Sequence, residues 1–235
     1  MATRHAASFR GELASGTIGA AFGDSAFTTV TQTASATPLP YTLGGVRFLI
    51  DDLEVPLFFV SPNQVNFYAP DSLSEGLHQA RAITPEGSAI YGDVLINRNS
   101  PGIFTKDATG TGEAAAVWLI LSPNGLARYR SAVDALPGER VFLLLYGSGI
   151  SERFNYFGVT SGSANLRVVI GSNTVKTFNA QFMGLANATV FIGLNQLNFE
   201  VNQADLWTGL AGAQLTVNNT FGQSWQSQGF TIRGR

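Results

Sequence analysis

The chain has no cysteine in its 235 residues. That excludes disulfides, thiolate metal centres and a cysteine nucleophile. Charge is scarce as well: Asp, Glu, Lys and Arg make up 13% of residues, well below the usual quarter. The net charge is −2, and the basic residues form no stripe, which argues against nucleic acid as a partner. No run of 18 apolar residues occurs, so no membrane-spanning helix is expected. The opening MATRHAASF lacks the apolar core of a signal peptide, which argues against export of the chain as written. A piece of a longer secreted protein would read the same way. Cysteine-free, charge-poor chains rich in Gly, Ser, Thr and Asn are common among exported bacterial β-proteins, and an extracellular location is the compositional expectation.

What is present is apolar and strand-like. The apolar content of 45% is ample for a core. VRFLI (46–50) alternates, with Val46, Phe48 and Ile50 on one face; VNFYA (65–69) and LNFEV (197–201) alternate too. Gly, Pro, Asn and Ser clusters such as TPEGS (84–88) separate these segments. Only LARYRSAVDAL (126–136) reads as a helical turn or two. Many short strands at this spacing predict β-sandwiches.

An internal repeat sharpens the reading. NQVNF begins at Asn63 and NQLNF at Asn195, 132 residues later. IGAAFG, ending at Gly23, matches FLLLYG, ending at Gly147. VRFLI with Arg47 matches LRVVI with Arg167, and the turn glycines Gly87 and Gly222 follow in the same order. The main insertion falls near NAQFMGLANATVF (179–191). Each half is about the size of one immunoglobulin-like sandwich. The expected fold is therefore all-β: two tandem immunoglobulin-like β-sandwich domains, 1–105 and 106–235. A short connection is expected near NSPGIFTKDATGTGEAAAV (99–117).

LGGVRFLIDDLEVPLFFVSPNQVNFYAP (43–70), SPGIFT (100–105) and PGERVFLLLYGSGI (137–150) resemble a tandem immunoglobulin-like repeat of secreted acidobacterial proteins. The resemblance covers nearly the whole chain and is tighter up to about residue 150. Asp52 stands where that repeat usually has Gly, and 171–194 is longer. The resemblance implies tandem immunoglobulin-like sandwiches, usually at the C-terminus of large exported proteins, and no established enzymatic activity.

Candidate sites must be weighed against packing. FGDSAF (22–27) looks like the Gly-Asp-Ser of an esterase nucleophile, Ser25. Such a serine needs an Asp-positioned histidine late in the chain. The two histidines, His5 and His78, are both early, and the matching YGSGIS has no Asp. No catalytic site, metal site or cofactor is expected. Asp51 and Asp52 could offer calcium a turn ligand, but no Asp/Asn ladder accompanies them. A solvated turn is the plainer reading. In the two NQxNF copies, Val65, Phe67, Leu197, Phe199 and Val201 are expected inward. Asn63, Gln64, Asn66, Asn195, Gln196 and Asn198 are read as fold-specifying, with a polar ligand groove as the functional alternative. Trp118 is read as core. Trp207 and Trp225 flank polar turns and are the candidate aromatics for a glycan. Lys106 and Lys176 raise the question of isopeptide crosslinks, without an evident partner set.

VFLLLY (141–146) is apolar on both faces, with Phe142, Leu144 and Tyr146 on the side assigned to the core. An exposed sheet has one wet face, so something is expected to cover the other. The expected function is a non-catalytic structural, adhesive or assembly module acting through strand edges and apolar patches. Its partners would be other protein domains or copies of itself. The alternatives are a carbohydrate-binding module and a strand-exchange filament with HAASF (5–9) or GFTIRGR (229–235) as donor strand.

Overall fold

The computed structural model describes residues 1–24, 26–150, 162–171, 174–179, 192–219 and 223–235. Among them there is no α-helix. The chain forms two compact units: Met1–Ser100 with Ser148–Glu152 and Asn187–Leu194, and Pro101–Gly147 with Arg153–Ala186 and Asn195–Arg235.

The first unit contains β1 (Ala2–His5), β2 (Glu12–Ala14), β3 (Ile18–Phe22), β4 (Gln32–Thr33), β5 (Thr42–Leu43), β6 (Val46–Ile50), β7 (Leu53–Glu54), β8 (Leu57–Ser61), β9 (Gln64–Tyr68), β10 (Gly76–Ile83) and β11 (Ala89–Asn97). One sheet runs β1-β3-β9-β8-β4, the other β2-β11-β10-β6-β5, with β7 also on β6. The first order is A-B-E-D and the second contains G-F-C, the arrangement of an immunoglobulin sandwich. β2 lies parallel to β11, and the remaining pairs are antiparallel.

Period-2 alternation builds the core. Val46, Phe48 and Ile50 from one sheet meet Leu57, Val60, Val65 and Phe67 from the other, all fully buried. The Phe48 and Phe67 rings stack at 4.4 Å. Each such ring removed from water contributes about 1.5–3 kcal/mol. Phe67 also dictates its neighbour strand: a Cβ on Gly19 would lie 2.4 Å from the ring. This is why β3 shows the core only Gly19 and Ala21.

Two consecutive positive-φ residues close β6 on β7, Asp51 at φ 46° and Asp52 at φ 65°, with Ile50 opposite Leu53. That is a two-residue hairpin turn of the primed kind. Asp tolerates the left-handed region better than most side chains.

The second unit contains β12 (Gly102–Ile103), β13 (Ala116–Leu121), β14 (Ala127–Arg130), β15 (Arg140–Ser148), β16 (Gly162–Ile170), β17 (Thr174–Asn179), β18 (Asn195–Val201), β19 (Leu210–Asn219), β20 (Ser224–Gln226) and β21 (Phe230–Arg233). Ser148, the last residue of β15, groups with the first unit. One sheet runs β12-β15-β13-β14, with β18 also on β15; the other joins β17, β16 and β19, with β20 and β21 both on β19. Here β15 and β18 take the B and E places, and β16, β19 and β21 take C, F and G. A parallel bridge from Glu113 to Thr231 repeats, in one residue pair, the parallel contact of β2 with β11.

The fold class is as expected: all-β, two tandem immunoglobulin-like sandwiches. Three local expectations are corrected. Residues 127–130 form strand β14, paired with β13 through Trp118↔Arg130 and Leu121↔Ala127, not a helical turn. The ladder and the turn at Gly125 (φ 84°) decide this. The 99–117 connection is folded: Thr105 bridges Ala114, and the Gln228 amide grips both backbone groups of Ile103. The core side of β15 is Val141, Leu143 and Leu145, which face Val201, Phe199 and Leu197. Phe142, Leu144 and Tyr146 lie on the outer face, as does Phe22 of β3, near Phe9. The outer Phe142 ring is capped by the Arg140 guanidinium at 4.9 Å, itself bonded to Glu200 at 2.8 Å.

Candidate functional site

Ser25 lies outside the described residues. The two histidines that a serine nucleophile could use are both committed to the first unit's own structure. His5 is fully buried. Its Nδ1 accepts the N–H groups of Ala7 (3.0 Å) and Ser8 (3.3 Å), and its Nε2 faces the Ser148 carbonyl at 3.3 Å. Two donors on one nitrogen and an acceptor on the other require the neutral Nε2–H tautomer. Burial pushes its pKa down to about 4.

His78 is held the opposite way. Its Nδ1 meets an Asp51 carboxylate oxygen at 2.5 Å and its Nε2 meets the Ser74 carbonyl at 2.8 Å. Both partners are acceptors, so both ring nitrogens donate and the ring is the imidazolium. Burial pulls its pKa down, but the bonds to Asp51 and Ser74 outweigh this and hold it above the ordinary histidine value. The His78 bond in turn holds the Asp51 carboxyl below its ordinary value.

In the Asp51–Asp52 turn both carboxylates have partners within the chain. Asp51 receives His78 and the Gln79 N–H (2.9 Å), and Asp52 receives Arg81 at 2.6 Å. These partners all lie on the neighbouring strand β10. Among the described residues no group of three or more His, Asp or Glu is placed to hold a metal.

Lys106 pairs with Glu113 and Lys176 with Asp205, each at 2.5 Å. The lysines hold both carboxyls below their ordinary values. Amide formation needs a neutral amine beside a protonated acid in a dry site, whereas these are ion pairs open to water. Lys176 and Asp205 line a polar cleft of about 410 Å³ with Asn179, Glu200 and Asn202.

The two NQxNF copies occupy β9 and β18 in the same register. Gln64 lies opposite Phe22 and Asn66 opposite Ala20; Gln196 lies opposite Tyr146 and Asn198 opposite Leu144. In both, the glutamine Nε2 donates to the asparagine Oδ1 two residues on, at 2.7 Å and 2.9 Å. Asn63 accepts the Ser61 hydroxyl at 3.1 Å, and its carbonyl receives the Gly23 N–H. Asn195, half-buried, opens β18 opposite Gly147.

The aromatic candidates separate. Trp207 is only 3% exposed, and its indole N–H donates to the Ile232 carbonyl at 3.2 Å. It packs edge-on against Trp118 (5.8 Å) and tilted on Phe178 (6.5 Å). Trp207 is thus corrected from a surface aromatic to the centre of the second unit's core. Trp118 is core, as expected, with its N–H on the Arg233 carbonyl. Trp225 is half-buried on β20, opposite Val217.

Two features were not anticipated. Glu139, nearly buried, accepts both terminal nitrogens of Arg128 (2.6 and 2.8 Å), the Ser122 hydroxyl and the Leu136 N–H. Arg128, then Ser122 and Leu136, hold its carboxyl down to about 2. The second is the outer face of β10 and β11. Leu77 (70% exposed) lies opposite Leu95 (41%), and Tyr91 (54%) lies opposite Arg81, with Gln79 and Asp93 paired between them. Counting outward positions along β10 and β11 would have found this face.

Of the proposed donor segments, HAASF shares only His5 with β1, whereas GFTIRGR contains β21. β1 pairs with β3, and Phe230 and Ile232 of β21 are buried against β19. Among the described residues, no helix is long and apolar enough to cross a membrane.

No family model and no curated protein matches the chain. Solved structures similar to it include a Bacteroides ovatus mixed-linkage glucan utilization locus protein, SGBP-B, in complex with a mixed-linkage heptasaccharide. That match has 10% identity and a TM-score of 0.38, over 95% of this chain and 43% of that one. The chain thus spans less than half of that protein's length. Others are the fibronectin(III)-like modules of Clostridium thermocellum CbhA (12% identity, TM-score 0.20, 95% and 89% covered). A third is the C-terminal domain of the Streptococcus agalactiae AgI/II polypeptide BspA (10% identity, TM-score 0.20, 74% and 62% covered).

Proposed function

We propose that the chain is a non-catalytic structural and adhesive module of an exported bacterial protein, related to the acidobacterial repeats it resembles. It works by contact with another β-sandwich, in the first instance a second copy of itself. The observation that carries this reading is the β10–β11 outer face, with Leu77, Leu95 and Tyr91 in water on two paired strands. The exposed face of an antiparallel sheet is normally polar, and a cluster of large apolar side chains there marks a contact surface. Gln79 and Asp93 stand between the apolar residues on the same face.

The edges supplement this face. In the first unit, β2, β4, β5 and β7 are two or three residues long, which blunts strand addition. In the second, β17 is a six-residue edge. The repeated Gln–Asn pairs serve the fold, each bracing the outer face of its own strand, β9 or β18.

Titration with soluble polysaccharides and a glycan array separates this reading from carbohydrate binding. The module reading expects no binding. Saturable binding abolished by Trp225→Ala or Tyr91→Ala overturns it. Ester turnover lost in Ser25→Ala would do so too.

A further inference from the structure

The segment after β15 is held by a cluster that neither the strands nor the proposed contact face requires. Ser148 is fully buried. Its hydroxyl accepts the Ile18 N–H at 3.0 Å and donates to the Gly193 carbonyl at 2.7 Å. The Gly149 carbonyl accepts the Ser100 N–H at 3.1 Å. Gly149 sits at φ 69°, and a Cβ there would lie 2.2 Å from the Ser100 oxygen and 3.0 Å from His5 Nε2. His5 closes the cluster by facing the Ser148 carbonyl.

We infer that His5 makes this seat an acid-released clasp, open when its ring is protonated and shut when it is neutral. The geometry dictates the direction. A proton added at Nδ1 points at the N–H groups of Ala7 and Ser8 in a site without water contact. The ring then loses two bonds and gains a buried charge. On the Nε2 side stand the carbonyls of Ser148 and Ser100. Among the described residues, Arg10 is the charged group that acts on the ring, and it opposes a second positive charge. The proton is accommodated only when the ring leaves, and Ser148–Ile150 then loses its closing contact. The lowered His5 pKa agrees with this sense. His78 in the same unit is an internal contrast: acid strengthens its bonds.

Amide hydrogen exchange at Ile18 and Ser100 reads the clasp, because those two N–H groups donate into it. After correction for intrinsic exchange, the wild-type opening constant should rise about tenfold per pH unit below ~6.5, reaching about 30-fold by pH 5. His5→Asn keeps a side-chain acceptor near Nδ1 and cannot titrate, so its opening should not change with pH. Gly149→Ala should open the clasp already at neutral pH. Constant protection at Ile18 and Ser100 from pH 7 to 5 in the wild type overturns the inference. So does an equal loss in His5→Asn. If His5→Asn does not fold, imidazole nitrogen shifts of the wild type decide. The Nε2–H tautomer should persist in the closed form down to pH 5, and an imidazolium signal from His5 with the Ile18 and Ser100 amides still protected refutes it.

Discussion

Replacing Gly19 by alanine tests the packing that defines the first sandwich. A strand glycine usually gains about 0.5–1 kcal/mol on becoming alanine, through reduced backbone entropy. Gly19 has no positive φ to forbid this. Its new methyl, however, would start 2.4 Å from Phe67 Cζ and 2.7 Å from Leu13 Cδ2. Phe67 cannot retreat, because Phe48 stacks on it. Forcing one carbon into such a core costs about 1–3 kcal/mol, so the net expectation is a loss of about 1–2 kcal/mol. Phe67→Leu removes the obstructing ring edge. In that background Gly19→Ala should recover at least ~1 kcal/mol of its loss, a coupling typical of touching residues. Urea unfolding measures the cycle. Trp118, Trp207 and Trp225 all belong to the second unit. The first unit's transition is therefore the far-UV circular dichroism change that tryptophan fluorescence does not follow. A neutral or stabilising Gly19→Ala, or an equal cost in both backgrounds, refutes the reasoning.

Trp207→Ala should destabilise the second unit by about 3–5 kcal/mol in fluorescence-monitored unfolding, and Trp225→Ala by about 1 kcal/mol. Because His78 titrates above its ordinary value when folded, its contribution is complete below its unfolded pKa and fades as pH rises through the folded one. Asp51→Asn should abolish that alkaline loss, which an NMR titration of the His78 ring will show. Glu139 has the opposite sign: its stabilisation is full above the unfolded value of 4.5 and is lost as pH falls towards about 2. Glu139→Gln should flatten the acid limb of the second unit's melting curve.

The alternation of Val46, Phe48 and Ile50, or of Val65 and Phe67, was enough to place β6 and β9, because one face of each strand is buried. The NQxNF repeat located β9 and β18 and their shared register. What escaped were choices set by neighbours distant in sequence. β15 is apolar on both faces, so alternation cannot tell Leu143 from Leu144; pairing with Phe199 decides it. Trp207 sits beside turn-forming residues, but Trp118 and Phe178 draw it inward. The role of His5 depends on Ser148, 143 residues away, which no local pattern records. The exposed Leu77–Leu95 pair needed only the outward positions of β10 and β11.

Sedimentation velocity across a wide concentration range tests the proposed contact face most directly. The wild type should associate reversibly, with the larger species lost in Leu77→Lys and in Tyr91→Lys while circular dichroism and unfolding midpoints stay unchanged. A wild type that remains monomeric at the highest concentration, or association that persists in both variants, contradicts it.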